Sequence, residues 1–546
     1  MKDKKLFVIF IILLTFICSF TLASAIVNKK TLNYIEQFED FSIPCYSNPL
    51  EVFRTFSSFI GYNGPFGKSW TFNYDVRLYE RGDSIEILEM DGRTNEFVPF
   101  GEGEKYRKNS AKKIMLLRKK ELEGKSIKKS TNYYKELYTK LVKDDELYKE
   151  MKAKYIKSSA QTKAGKYESY DRGYAVLQKL DNGSYVRILQ NGRKDYFNKD
   201  GLIVKVVDRN GNAITMQHIN GQLKYVSDSC GRKMRLDYNK RGKISKITDP
   251  FNRKFQYTYD KKDRMIGYKD SDGKVTRYNY EDRTNNIVEI TYPDGKKLKN
   301  YYNKKGWIGK QIDTTGSVTT YERKEDKNNK FHHWVKTSYY NGTWRKYDFY
   351  KDQYKIVETT NDGTNRTVMN TPCCNKPMSI TNEKGQAEYF EYDKENNLIR
   401  KTNSSGDVIE FTYEKKFNQM KSITQSDGTV TALEYDKLGN IIQSKTNKGK
   451  KITMKYNNRG KPAYISDNTG NEISFTYNYF GKPTQMTKKD CGEATITYDK
   501  FGRRISYQGK AYKNSKFKDN QVMLEIQNTI LGLLQGLTPP GVGPTI

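Results

Sequence analysis

The sequence predicts a mainly β protein whose body is one extended antiparallel sheet of repeated hairpins, and three regularities predict it. Tyrosines recur at Tyr238, Tyr259, Tyr280 and Tyr302, then at Tyr392, Tyr413, Tyr435, Tyr456, Tyr477 and Tyr498, and every step inside a run is 21 or 22 residues. Each unit also holds two turns, most of them built on glycine. One follows the tyrosine, as in "YDKLG" and "YNNRG", and ends on Gly242, Gly306, Gly439, Gly460, Gly481 or Gly502; the other stands about ten residues earlier, opens on Asp or Asn, and ends on Gly211, Gly231, Gly273, Gly406 or Gly470. Glycine accepts the positive φ of a tight turn, and the leading Asp or Asn can bond its own backbone two residues on. Between the turns the strands alternate: Phe255, Tyr257 and Tyr259 share one face, as do Ile473, Phe475 and Tyr477, with Lys, Thr, Glu and Ser on the other. A period of two is that of a strand buried on one side.

Composition fits this reading. Only 36% of residues are hydrophobic, against a usual figure of about 45–50%, so a large aliphatic core is excluded; 43 Tyr and 25 Phe carry the apolar surface instead. A single hairpin cannot bury its apolar face, so neighbours must pair edge to edge and share one lining. Each ring buried in that lining contributes about 2 kcal/mol, and each phenol needs a hydrogen-bond partner. The acid beside the tyrosine is read as that acceptor, and the glycine as the maker of the turn.

The elements follow in order. Residues 1–25 read as a secretory signal: Lys2, Lys4 and Lys5 precede an apolar run of about 17 residues, and Ala23-Ser24-Ala25 supplies the small-residue cleavage site. Cleavage after Ala25 is expected to leave no transmembrane anchor and to place the chain at the cell surface or outside the cell. Residues 26–104 form an N-terminal β segment. Residues 105–159 hold 18 basic and 7 acidic side chains, a net of +11 within a chain of net +33, and few glycines, which predicts a basic helical insertion. Residues 160–507 hold the repeat array, with Phe197 and Gln217 in the tyrosine position upstream and the phase blurred between Tyr302 and Tyr392, where "YERKEDKNNKFHHW" reads as an insertion. In the tail, 508–546, Val522, Ile526, Ile530 and Leu533 recur at helical spacing before Pro539 and Pro540, the pattern of a short helix laid across the end of a sheet.

Catalytic and metal chemistry finds little support. Cys45, Cys230, Cys373, Cys374 and Cys491 are too few and scattered for a disulfide scaffold, although export permits a bridge, and "PCCNKP" lacks the second ligand pair of a zinc site. "GPFGKSW" has Tyr62 where a phosphate-binding loop requires glycine, and reads as a turn between strands. His218, His332 and His333 stand in no hydrolase context, and the last two read as surface residues of a loop. "DSDGK" at 270–274 does not complete a calcium loop. No enzyme, cofactor or metal is expected, and no nucleic-acid fold is recognisable.

The units, of which "YDKLGNII" is one, resemble the Rhs or YD-repeat family. Residues 48–97, "NPLEVFRTFSSFIGYNGPFGKSW" onward, look like the segment that precedes the repeats in bacterial members, and "NGSYVRILQNGRKDYFNKDGLIVKVVDRNGNAI" is similar to their first repeats. The resemblance covers most of the mature chain and implies a spiralling β-sheet, an open shell or solenoid. It implies no single activity, since members range from toxin carriers to adhesion receptors. Toxin carriers follow their repeats with a self-cleaving core and a toxin domain; here both are expected to be missing. The leading expectation is therefore an exported, non-catalytic scaffold, for adhesion or for enclosing another polypeptide, either cargo or a second shell component. One alternative is a truncated or split toxin-delivery shell. Another is a binder of anionic or neutral cell-surface glycans through the lysines of 105–159 and the rings of Trp307, Trp334 and Trp344.

Overall fold

A computed structural model describes residues 26–46, 48–156, 161–169, 171, 173–372, 376–535 and 537. The expected signal segment, the pair Cys373–Cys374 and Pro539–Pro540 lie outside the described residues.

From Arg77–Glu80 to Arg504–Ala511, 36 strands pair each with the next in antiparallel ladders, forming one ribbon. The ribbon starts upstream of the region assigned to repeats. Arg77–Glu80, Ile85–Leu88 and Thr94–Pro99 are its first strands, and the last of them hands the ladder across the helical insertion to Gly165–Ser169 through Val98–Glu168 and Pro99–Tyr167. The irregular stretch after Tyr302 stays in the sheet as well: Val318–Glu325 and His332–Tyr339 are lengthened partners in one hairpin, so the extra residues prolong two strands.

Each of the ten tyrosines stands at a break in register. Thr258 pairs with Gly267 but Tyr259 pairs with Met265, and the same shift recurs at Tyr238, Tyr280, Tyr302, Tyr392, Tyr413, Tyr435, Tyr456, Tyr477 and Tyr498. Steps of 22 residues arise where the tyrosine turn opens on Glu281 or Glu414, because those turns take one more residue and place Asn285 or Asn418 at positive φ. A bulge bends and twists its strand. Repeated on the same side of hairpin after hairpin, it curls the ribbon.

The curl brings the ribbon back onto itself. Gln190 Nε2 donates to the carbonyl of Glu395 at 2.8 Å, Asn440 Nδ2 to Asn210 Oδ1 at 2.8 Å, and Asn212 Nδ2 to the carbonyl of Arg459 at 3.1 Å, partners 205, 230 and 247 residues apart. Phe251 and Phe501 meet at 5.1 Å, edge to face. In each contact an intervening turn of the first coil meets a tyrosine turn of the second, so the coils stack rim to rim.

Inside the first coil sits a plug. Ile26–Val27, Tyr34–Ile43, Leu50–Ser57 and Trp70–Phe72 form a four-stranded sheet, and "GPFGKSW" supplies a small hairpin in which Asn63–Gly64 pairs with Gly67–Lys68. The basic insertion folds as three helices, Gly103–Gly124, Thr131–Lys143 and Asp145–Tyr155. They share a small core of Ala111, Ile114, Leu137, Leu141 and Tyr148. Lys152 ties them to Glu96, and Asp144 ties them to Lys351 at 2.7 Å. A last helix, Asp519–Gln535, buries Val522, Ile526 and Leu533 against Ile465, Ile473, Met486 and Ile496 on the inner face of the final strands, with Ile530 half-buried beside them. Among the described residues no helix is long and apolar enough to cross a membrane.

Candidate functional site: the inner face and its plug

The tyrosines lie on the inner face, half-buried at one rim, and all ten make the same bond. Each hydroxyl donates to the backbone carbonyl 15 residues upstream: Tyr238 to Leu223 at 2.8 Å, Tyr259 to Ile244 at 2.7 Å, Tyr280 to Met265 at 2.6 Å and Tyr302 to Ile287 at 3.1 Å. In the second run Tyr392 bonds Pro377 at 2.9 Å, Tyr413 Leu398 at 2.8 Å, Tyr456 Ile441 at 2.9 Å, Tyr477 Pro462 at 2.6 Å and Tyr498 Pro483 at 2.8 Å, while Tyr435 bonds Met420. This corrects the acceptor expected from the sequence. The acid or amide after the tyrosine closes its own turn, as Asp436 Oδ1 does by accepting from the N–H groups of Leu438 and Asn440 at 2.8 and 2.9 Å. The carbonyl that the hydroxyl reaches opens a strand at a point where the ladder to the tyrosine's own strand has run out. Burial pushes all ten phenols above their ordinary pKa, which keeps them neutral donors.

All eleven turn glycines named from the sequence adopt positive φ, between 70° and 97°. The conformation matters most at Gly481, where a Cβ would stand 2.8 Å from the Cα of Tyr46.

The plug meets the first coil through its tyrosine turns. Ile244 N–H donates to Pro65 at 2.8 Å, Lys68 N–H to Asp263 at 3.0 Å, and Lys243 Nζ to Asn63 and Gly64 at 2.7 and 2.9 Å. Behind these, Phe41 stacks on Phe255 at 4.7 Å and Trp70 Nε1 donates to the hydroxyl of Tyr280 at 3.0 Å. At the centre Arg54 and Asp40, both fully buried, form a bidentate pair; Tyr257 donates to Asp40 at 2.6 Å, and the rings of Tyr268, Phe38 and Trp70 surround the guanidinium at 4.6 to 5.2 Å. Such a pair fixes register more than it adds stability. Burial pushes the Glu36 carboxyl up to about 7 against the hydrogen bond from Tyr34, and Glu51 up to about 7 against that from Ser42.

One inner row shows what the plug covers. Six or seven residues after their tyrosines, Ile244, Met265, Ile287 and Ile308 are 0% exposed in the first coil, whereas the equivalent Leu398, Met420, Ile441 and Pro462 of the second are only half-buried. Sequence reasoning missed this contrast because the residue types are the same.

Cys45 and Cys230 are joined in a disulfide between plug and ribbon, and Cys491 is a buried free thiol. Asp228 lies near the bridge, but both sulfurs are bonded to each other and Asp228 pairs with Arg232 at 2.6 Å, so this cluster is not a metal cage. The histidines correct a second expectation. His332 and His333 occupy a strand rather than a loop, and His333 is fully buried, stacked on Phe349 at 4.9 Å, with burial, Arg323 and Lys351 pushing it down to about 4. His332 bonds Asp326 at 2.9 Å and Asp348 at 3.0 Å. His218 lies in the strand Ala213–Ile219, half-buried, and burial, with Arg77 nearby, holds it below its ordinary range. The tryptophans proposed as stacking platforms carry cations instead: Lys324 and Lys346 lie 5.4 Å from Trp334, Lys336 4.5 Å from Trp344, and Arg323 4.7 Å from Trp307.

A bulged, curled ribbon of tyrosine hairpins around an internal plug defines a β-repeat scaffold. The RHS Repeat family matches residues 238–275 and 259–297, and a family described as Domain of unknown function (DUF6531) matches residues 26–97, the plug and the ribbon into its third strand. Residues 238–297 are thus Rhs repeats. No curated protein matches it. Among solved structures it is similar to TcdB2-TccC3 without the hypervariable C-terminal region, at 11% identity and a TM-score of 0.41 over 87% of this chain and 24% of that one. It is also similar to the Photorhabdus luminescens Tc holotoxin pore, at 9% identity and a TM-score of 0.35 over 88% and 30%. The chain thus spans about a quarter of the length of these two structures.

Proposed function

We propose that the protein is an exported, non-catalytic shell segment that encloses another polypeptide against the inner face of its second coil. The contrast along the inner row carries this reading. Where the plug lies, the row is sealed; Leu398, Ile409 and Met420 at the same apolar positions are only half-buried, beside the buried Phe390, Phe411 and Ile423, and Ile441 packs against the cluster under the last helix. Most charges on these strands sit outside, as at Arg400, Glu410 and Glu434, all exposed, and the inward Lys401 is paired with Glu388. An apolar lining left half-covered is a surface for a partner. A toxin-delivery shell whose effector resides in another polypeptide is the same reading with the cargo specified. Glycan recognition by the tryptophans is less favoured, because lysines already occupy their faces.

The test is site-specific photocrosslinking in the producing cell, with a benzoylphenylalanine in place of Ile409 on the inner face or Glu410 on the outer. Adducts to a discrete polypeptide from position 409 and none from 410 are expected. Equal labelling from both, or none from 409, would overturn the proposal. Fractionation of the same cells checks export.

A further inference from the structure

We propose that a cavity between the plug and the inner wall binds one molecule of an amphiphilic carboxylate, an apolar chain with an acid head, independently of any polypeptide in the lumen. The cavity measures about 660 Å³, within the roughly 300–1,000 Å³ that houses small-molecule ligands. Widely separated parts of the chain line it: the first residues of the plug, the end of the helix Thr131–Lys143, and the strands Trp344–Tyr350, Lys355–Thr360 and Asn365–Asn370.

Its wall is apolar and incompletely covered. Ile26, Val27, Phe349, Ile356 and Val368 line it; Phe349 is buried, Val27, Ile356 and Val368 are half-buried, and Ile26 is 52% exposed. Such surface gains from an apolar occupant at about 25 cal/mol per Å² removed from water.

The polar lining is cationic. Lys29, Lys30, Lys143, Lys351 and Lys355 contribute to it against two carboxylates, Asp144 and Glu358. Asp144 is neutralised by Lys351 at 2.7 Å, and Glu358 is engaged by Arg345 at 3.0 Å and the hydroxyl of Tyr347 at 3.1 Å, which also accepts from Lys29 at 2.8 Å; the remaining lysines still exceed the acids. The local field is felt by the groups present: although burial pushes Asp144 up, the hydrogen bond and charge of Lys351, with Lys30 beyond it, hold the carboxyl below its ordinary range. Lysines drawn from plug, helix and wall around an apolar floor favour an anionic head over a neutral or cationic one, through charge-assisted hydrogen bonds. The open inner row near Leu398 lacks this feature, since the inward Lys401 is neutralised by Glu388 at 3.6 Å.

Isothermal titration of the purified full chain with decanoate tests the proposal, with decanol and decyltrimethylammonium as neutral and cationic counterparts. One saturable site for decanoate is expected, with both counterparts at least tenfold weaker. Val368→Trp should fill the cavity and weaken decanoate at least tenfold, while Ile409→Trp on the open inner row leaves it unchanged. The double variant Lys29→Gln, Lys355→Gln changes polar residues at the cavity and so does not depend on tolerance of a larger core side chain; it should weaken decanoate at least threefold and spare decanol. Equal affinity for the cationic amphiphile, several equivalent sites, or indifference to both the cavity-filling and the lysine variants would overturn the assignment.

Discussion

Replacing Tyr259 by Phe deletes one hydroxyl and nothing else, and the repeat predicts what that costs. The bond from the Tyr259 hydroxyl to the Ile244 carbonyl is 2.7 Å long and contributes about 1 kcal/mol net. Ile244 is 0% exposed beneath the plug, and the ladder to the tyrosine's strand does not reach it. Its carbonyl therefore loses a partner that water cannot replace, which adds about 1–2 kcal/mol. Tyr413→Phe breaks the equivalent 2.8 Å bond to Leu398, but that residue is half-buried and water can reach its carbonyl, so the cost there is about 0.5–1 kcal/mol. A chain this long does not unfold in one step, so the assay should be local: native-state hydrogen exchange read by mass spectrometry on peptides covering 233–269 and 387–424. Protection around Ile244 should fall about 30- to 100-fold in Tyr259→Phe, and by under tenfold around Leu398 in Tyr413→Phe, at about 1.4 kcal/mol per tenfold. Equal losses at the two sites, or none at Ile244, would refute the idea that the hydroxyl serves the carbonyl stranded by the bulge.

Four further outcomes can be checked on the same protein. Reducing the Cys45–Cys230 bridge, which spans 185 residues, or replacing both cysteines by serine, should lower plug stability by up to about 5 kcal/mol on chain-entropy grounds, visible as a lower melting temperature under reducing than non-reducing conditions. Glu36 and Glu51 keep their protons in the folded chain up to about pH 7, while the unfolded chain loses them near pH 4.5; stability from these groups is thus greatest below about pH 4.5, declines as pH rises, and is lost above about pH 7, and Glu36→Gln should flatten that slope in pH-dependent melts. Arg54→Met alone strands the buried Asp40 and should cost about 3–5 kcal/mol in a denaturant melt, with much of that recovered when Asp40→Asn is added. Gly481→Ala, at φ 70° with Tyr46 backbone 2.8 Å away, should destabilise more than Gly470→Ala, which has φ 97° but open space around it, as read by thermal melting.

Much of the scaffold was legible because it is local. The tyrosine period, the glycine turns and the alternation Phe255, Tyr257, Tyr259 all act within one hairpin, so sequence order carries them directly. The partner of the phenol was not legible, because the acceptor is a backbone carbonyl on a neighbouring strand that only the register shift exposes. His333 was read as a surface residue because its burial depends on Lys30 and Phe349, one of them some 300 residues away. The early strands Arg77–Glu80 to Thr94–Pro99 hid for a different reason: a helical insertion interrupts their ladder in sequence but not in space. The unsealed inner row is the clearest case, since Ile244 and Leu398 follow the same pattern and differ only in what the plug reaches.

What fixes the spacing of the coils is a short strap of the plug. The rim contacts are side-chain pairs such as Asn210 to Asn440 and Phe251 to Phe501, and a curled ribbon held by these alone could slide by one hairpin, because every repeat offers nearly the same edge. The segment Ile43–Tyr46 removes that degeneracy. Arg232 of the first coil donates to the Pro44 carbonyl at 2.6 Å, Cys230 is bonded to Cys45, and on the other side Gly502 and Gly481 of the second coil close on Pro44 and Tyr46. Arg459 also lies over the Tyr46 ring at 5.2 Å. A slip of one repeat would put Gly460 or Gly502 where Gly481 meets the strap and would move Arg459 off the ring. The plug therefore sets the register between coils.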